Sequence, residues 1–326
     1  MDFSCVRSWE RTLFTRFLSE SGFKEKTRRT FRVGLLNFAG WCHANGISEP
    51  DTGSLNRWKA YLLDCYQSAT AQTYLAAVKL FCKWLAIHGF GKDIGLPVKG
   101  IKSELGFRKD CLSENDMQKV LGCLETKVKK AKKHESSFAR ELRNYAIVLL
   151  ITTCGLRVSE VSSLDMGDLD AVLNQPVLWV YGKGRDGKMD FVSVPLALKI
   201  LLVKYFNIRH RLTKGFMASE PMFISYSRNS YGKRLSARTI SQIVKKALID
   251  AGFNSSRLTA HSLRHTAVTL ALKAGATLQQ VQQYARHRLM DMTLRYAHNL
   301  EHSRNPCSGL VMKMIGRLDY SGIPIA

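Results

Sequence analysis

Gly95, Pro97, Gly100 and Gly106 punctuate the stretch from Phe90 to Lys109, where the texture of the sequence changes. Glycine and proline at that density mark a break between folded segments. A length of 326 residues also exceeds what one hydrophobic core usually serves. The chain is therefore expected to fold as two domains, residues 1–104 and 110–326, with Phe90 to Lys109 reading as the linker.

Before the break, apolar residues recur at helical spacing in four segments. The first runs from about Cys5 to Leu18, with Val6, Trp9, Leu13 and Phe17 on one stripe. The second covers about Lys26 to Ala44, and the third Leu55 to Cys65 behind a Ser54 cap. The fourth, Ala69 to His88, presents Tyr74, Val78, Phe81 and Trp84. Aromatic residues at this spacing are expected in a core rather than on a base-stacking platform.

After the break, Ser113 with Asp116 is an N-terminal signature for a helix to about Leu124. The lysine-rich Lys127 to Lys133 reads as a solvated or DNA-facing loop, followed by a helix from about Phe138 into AIVLLI. Two β-like runs in VLWVYGKGRDGKMDFVSVP flank Asp186-Gly187, a hairpin signal. Further helices are predicted at about Leu196–Arg211, Ala237–Ala251, Ser262–Lys273 and Leu278–Arg286. Gly275 ends the third of these, and Thr277 with Gln280 caps the fourth. The expected class is mainly α with a small antiparallel sheet: a four-helix N-terminal domain and an α+β second domain.

The net charge of +23 calls for an anionic partner. Residues 1–107 hold 15 Lys+Arg against 9 Asp+Glu, and the rest hold 34 against 17, so most of the surplus lies in the second part. A phosphate backbone suits such a surplus, because each cation placed on it releases condensed counterions. No segment reads as a membrane span, a basic surface anchor or a signal peptide. Eight cysteines, none in a CxxC pair, match no zinc framework and fit a reducing compartment. A cytoplasmic, nucleoid-associated protein with no membrane partner is the expectation.

Several polar residues sit oddly in these patterns. Arg157 directly follows an apolar run, and Glu160 lies three residues on, where it can hold the guanidinium. Lys183 stands between two glycines of the hairpin, with Lys188 as a rival. His261 and Arg264 are one turn apart at a helix start; His287 ends the next helix, and Tyr296 comes nine residues later, with Tyr284 as a decoy. Together they suit a phosphodiester. Paired guanidiniums bind its oxygens as charge builds, a tyrosine can attack phosphorus, and a lysine can protonate the leaving oxygen. Such a scheme needs no metal or other cofactor.

TTCGLRVSEVSSL, GKGRDGKMDFVSVP, HSLRH and ARH with Tyr296 nine residues on together resemble, in order and spacing, the tyrosine recombinase/integrase family, across about residues 110–300. The resemblance implies that Arg157 and Arg264 grip the scissile phosphate and that Lys183 protonates the leaving 5′-oxygen. It further implies that His261 assists proton transfer, that His287 hydrogen-bonds the phosphate and that Tyr296 forms a 3′-phosphotyrosyl link; Glu160 falls on a supporting acidic position. The N-terminal helices are similar to the family's core-binding (SAM-like) domain in overall pattern only. One departure stands out: the glycine usual before the second histidine is Arg286 here.

The function implied is site-specific cleavage and rejoining of double-stranded DNA without ATP, by a homo-tetramer on two sites. It would serve integration or excision of a mobile element, or dimer resolution, with an accessory directionality factor as a possible partner. A first helix so near Met1 is expected to leave no room for an arm-binding domain, which favours a two-domain, Xer-like or mobile-element enzyme. The tail from about 305, with Leu310, Val311, Met314, Ile315 and Leu318 at helical spacing, could dock on a neighbouring subunit. Two other readings compete. A DNA-binding regulator would use Ser262 to Arg286 as a helix-turn-helix-like unit, with Gln279, Gln280, Gln282 and Gln283 reading bases. A type IB topoisomerase would share similar chemistry.

Overall fold

A computed structural model describes residues 8–101, 111–170, 176–181, 187–188, 190–215, 217–286 and 293–294. The chain divides into two compact units, Met1–Gly106 and Phe107–Ala326. The fold is mainly helical with one small antiparallel sheet.

Among the described residues, the first unit forms α1 (Ser8–Glu20), α2 (Glu25–Ala44), α3 (Thr52–Cys65) and α4 (Ser68–Ile87). The aromatic stripes are core. Trp58 is fully buried, and its ring lies 4.9 Å from Phe38. Its indole N–H donates to Asn37 Oδ1 at 3.0 Å, while the Asn37 amide donates to the Tyr66 hydroxyl, also at 3.0 Å. A buried amide can be tolerated there because both its ends are satisfied.

Two local expectations are corrected. α3 begins at Thr52, with Asp51 as the cap and Ser54 answering from inside the first turn. The Ser54 amide donates to Asp51 Oδ1 and the Asp51 amide to Ser54 Oγ, both at 2.7 Å, so each supplies the other's missing partner. The stretch from Phe90 to Ile101 is not a free linker. Val98 is buried in the helical core, and the amide of Ile101 donates to Gln72 Oε1 at 2.6 Å. The remainder of the expected linker, 102–109, lies outside the described residues.

The second unit is built around α6 (Glu135–Thr153), whose Ala146, Ile147, Val148, Leu150 and Ile151 are all buried. α5 (Glu114–Ala131), α8 (Leu196–Thr213), α9 (Ala237–Asp250) and α10 (Ala260–Lys273) pack on it. The apolar AIVLLI stretch is thus part of the central core helix. No described helix is long and apolar enough to cross a membrane. α7 (Val158–Ser162) follows α6, and α11 (Leu278–Ala285) closes the described helices by packing Val281 and Ala285 on Val268 of α10.

α5 outruns its expected end by two turns, so Lys127 is helical rather than in a loop. Lysine is a good helix former, and Lys127 is anchored by an ion pair with Asp250 of α9. Lys129 and Lys130 fall in the last turn, where cations complement the helix dipole.

The sheet has the order β1 (Leu169–Asp170), β2 (Val177–Val180) and β3 (Asp190–Ser193), antiparallel throughout. The hairpin pairs Leu178 with Val192 and Trp179 with Phe191. Alternation sends Leu178, Val180 and Val192 into the core and leaves Trp179 and Phe191 exposed. β1, two residues long, carries no strand signature of its own and forms because Leu169 pairs with Leu178.

Candidate active site

The chain leaves α6 through Cys154 and Gly155, and Gly155 takes φ +58. Glycine is required twice over here. The left-handed conformation disfavours a side chain, and an added Cβ would lie 3.0 Å from the Tyr284 ring. The turn delivers Arg157 to the start of α7 and brings the Gly155 carbonyl to the two arginines described below. Gly155→Ala is expected to lower stability by roughly 1–3 kcal/mol, the range for a strained backbone position. Urea unfolding measures this, and an unchanged midpoint would contradict it.

Glu160 sits one turn into α7, 3% exposed, and reaches back to the helix start. Its Oε2 accepts the Arg157 amide at 2.7 Å, and its Oε1 accepts Arg157 Nη1 at 2.6 Å. Arg264, on the second turn of α10, stands 3.9 Å from the same carboxylate. Its guanidinium donates to the carbonyls of Gly155 and Ala285, tying the end of α6 to the end of α11.

A third guanidinium completes the cluster. Arg286 Nη2 lies 2.7 Å from Glu160 Oε2 and 3.1 Å from the Gly155 carbonyl, and Nη1 donates to the Tyr284 carbonyl at 2.9 Å. Three arginines thus surround one buried carboxylate, a surplus of two positive charges. Burial alone would raise the Glu160 pKa. Arg286, the Arg157 amide and guanidinium, and Arg264 outweigh it and hold the group below its ordinary value. Cys154 adds no second anion, because burial pushes its thiol up to about 11.

Arg286 is the residue that the sequence pattern undersold. It follows α11 at φ +51 and ψ 48, a left-handed conformation costing a non-glycine residue roughly 1–2 kcal/mol. Glycine would suit that backbone; here a long cation occupies it and offsets the cost with buried hydrogen bonds. The only sequence signal was the departure from glycine itself.

Of the other expected site residues, His261 lies exposed in the first turn of α10, its ring centroid 4.2 Å from that of buried His265. Thr259 caps that helix, with Ser262 answering. Lys183, His287 and Tyr296 lie outside the described residues, as does the tail from about 305. Their rivals are described. Lys188 Nζ is held 2.6 Å from Asp165 and 2.5 Å from Asp168. Burial lowers its pKa, but the two carboxylates prevail and raise it, so Lys188 keeps its proton. Burial pushes the Tyr284 phenol well above its ordinary range, with Cys154 adding to the rise, which makes it a poor nucleophile. Gln280 is occupied in capping α11, where its Oε1 accepts the Thr277 amide at 2.8 Å.

The arrangement gathers three guanidiniums where four helix ends meet. Guanidiniums offer paired N–H groups in a plane, the geometry that phosphate oxygens match.

Residues 112–302 match the phage integrase family. Over 325 residues the chain is 29% identical to a tyrosine recombinase of Synechococcus elongatus, covering 95% of each chain. Over 283 residues it is 29% identical to the tyrosine recombinase XerC of Corynebacterium glutamicum, covering 85% of this chain and 82% of that one. Among solved structures it is similar to the XerH site-specific recombinase bound to a palindromic difH substrate. The TM-score is 0.68 at 19% identity, covering 85% of this chain and 78% of that one. It is likewise similar to the Tn1549 transposon integrase in complex with transposon right-end DNA, with a TM-score of 0.65 at 15% identity, covering 91% and 99%. At these identities the structural likeness is one of fold.

Proposed function

The chain belongs to the phage integrase family of tyrosine recombinases, and from that premise we propose that it cuts and rejoins DNA at specific sites through a covalent 3′-phosphotyrosine. The observation that carries this reading is the gathering of Arg157, Arg264 and Arg286 on one buried carboxylate. A protein that only binds DNA has no use for a surplus of guanidinium charge fixed below its surface.

In this reading Arg157, whose side chain is 23% exposed, meets the scissile phosphate directly. Arg264, buried beneath it, adds positive charge. Tyr296 Oη forms a bond to phosphorus as the bond to the 5′-oxygen breaks. The phenolic proton passes toward His261, and Lys183 supplies a proton to the leaving 5′-oxygen. His287 hydrogen-bonds a non-bridging oxygen. The phosphodiester is conserved in the phosphotyrosine, so rejoining to another strand is close to isoenergetic and needs no ATP. A homo-tetramer on two DNA sites would exchange strands in pairs through a Holliday junction. Its role would be integration or excision of a mobile element or resolution of dimers, with an accessory factor setting direction.

The test is a search for the covalent adduct. Wild type and Tyr296→Phe are expressed in cells carrying the flanking DNA, denatured rapidly and digested, and the Tyr296 peptide is examined by mass spectrometry. A nucleotide on that peptide in wild type alone is expected, and the attached DNA then reveals the target site. An adduct on another tyrosine keeps the reaction class and overturns the assignment. Tight DNA binding without an adduct, even on nicked substrates that cannot rejoin, would favour a regulator.

Affinity should also depend steeply on salt. For about 6–10 phosphate contacts, binding is expected to weaken by about 10³–10⁵ between 50 and 200 mM salt. Fluorescence anisotropy measures it, and a nearly flat response would count against the phosphate clamp.

A further inference from the structure

We propose that Arg286 is a positioning residue of this site: by occupying one oxygen of Glu160, it keeps that carboxylate from neutralising Arg157, which stays available to the phosphate. The inference rests on the recombinase reading above.

The hydrogen bonds divide Glu160 unequally. Oε2 is taken by Arg286 Nη2 at 2.7 Å and by the Arg157 amide, also at 2.7 Å. That leaves only Oε1 for the Arg157 guanidinium, which meets it through Nη1 alone at 2.6 Å. A carboxylate facing an arginine commonly grips it with both oxygens, and here the second grip is blocked. The freed Nη2 of Arg157 turns instead to the Arg286 carbonyl at 3.4 Å. Arg286 therefore orients Arg157 from both ends, with its side chain on the carboxylate and its backbone on the guanidinium.

Exposure points the same way. The Arg286 side chain is 7% exposed and that of Arg157 is 23% exposed, so the buried cation serves the carboxylate and the open one faces outward. Arg286 also leads the cationic influences on Glu160, ahead of Arg157 itself. Without it, the surplus charge of the cluster falls from two to one. Its left-handed backbone, which glycine would adopt freely, has a price in strain that only the side chain's contacts repay.

The experiment uses the duplex recovered with the Tyr296 adduct, nicked so that the cleaved strand cannot rejoin. Single-turnover cleavage at saturating DNA and the dissociation constant for the same duplex are measured for wild type, Arg286→Gly, Arg286→Lys and Arg286→Gln. Arg286→Gly should cleave about 10–100-fold more slowly, the size typical of outer partners that orient a reacting group. DNA affinity should stay at the wild-type value, and Arg286→Lys should recover much of the rate by returning a cation to Oε2. Wild-type cleavage by Arg286→Gly would overturn the inference. So would an Arg286→Lys variant as slow as glycine, or rate and affinity falling together. If Arg286→Gly does not fold, Arg286→Gln decides: it can keep a hydrogen bond without the charge, so slow cleavage supports the inference and a wild-type rate overturns it. A wild type that never cleaves defeats the recombinase reading itself, which separates the two failures.

Discussion

Replacing Glu160 by glutamine is expected to destabilise the second unit by about 3–5 kcal/mol, the cost of stripping one partner from a buried charge network. The substitution barely changes volume, so the effect is electrostatic. Arg157, Arg264 and Arg286 converge on this carboxylate, and the glutamine carbonyl oxygen can accept hydrogen bonds but cannot offset their charge. Urea unfolding in near-neutral buffer gives the magnitude, and its pH dependence gives the mechanism. The folded-state pKa of Glu160 is held below its ordinary value of 4.5. Its stabilisation is therefore complete above about pH 4.5 and is lost as the pH falls through the folded value. Wild type and variant should converge in that acid range, because a protonated glutamate resembles a glutamine. A gap that stays constant down to low pH would mean that charge is not what Glu160 contributes.

The second large effect concerns Lys183. Lys183→Ala should slow cleavage of ordinary DNA by about 10²–10⁴, the usual contribution of a general acid. The diagnostic comparison replaces the leaving 5′-oxygen with sulfur. A thiol has a pKa near 8.5, so the thiolate departs without a proton, and the variant should then cleave as fast as wild type. Slow cleavage of the sulfur substrate would remove Lys183 from that role. Lys188→Ala supplies the contrast. It breaks the ion pairs with Asp165 and Asp168, so stability should fall, and sulfur should give no selective rescue.

Much of the fold was legible because its signals act within a turn or two of the chain. Ser113 and Asp116 close a capping box three residues apart, as do Thr277 and Gln280, and both helices begin where those pairs predict. Among the described residues, the aromatic periods of the first unit lie in or against its core as expected, with Trp58 and Phe17 buried and Phe31, Trp41, Tyr61 and Tyr74 half-buried against it. The hairpin followed from two alternating runs around a turn. The misses are equally physical. A lysine run looks solvated until Asp250 of another helix takes Lys127. Val98 looks like linker until the four-helix core covers it.

The candidate site divides along the same line. Arg157 and Glu160 were readable as a pair because they lie three positions apart on one helix start. Arg264 was readable from its place beside His261 in the motif, though not its carbonyl partners at the ends of α6 and α11. The order and spacing of the motifs, the helix starts and the excess of positive charge are properties of the sequence alone, since each depends on near neighbours or on a simple sum. Tertiary structure decided the rest. Arg286 meets Glu160 and Gly155 across 126 and 131 positions of chain. Lys188 is held by Asp165 and Asp168 across 23 and 20. No local propensity encodes such pairings, because they exist only after the helix ends have been packed together and water has been excluded from between the charges.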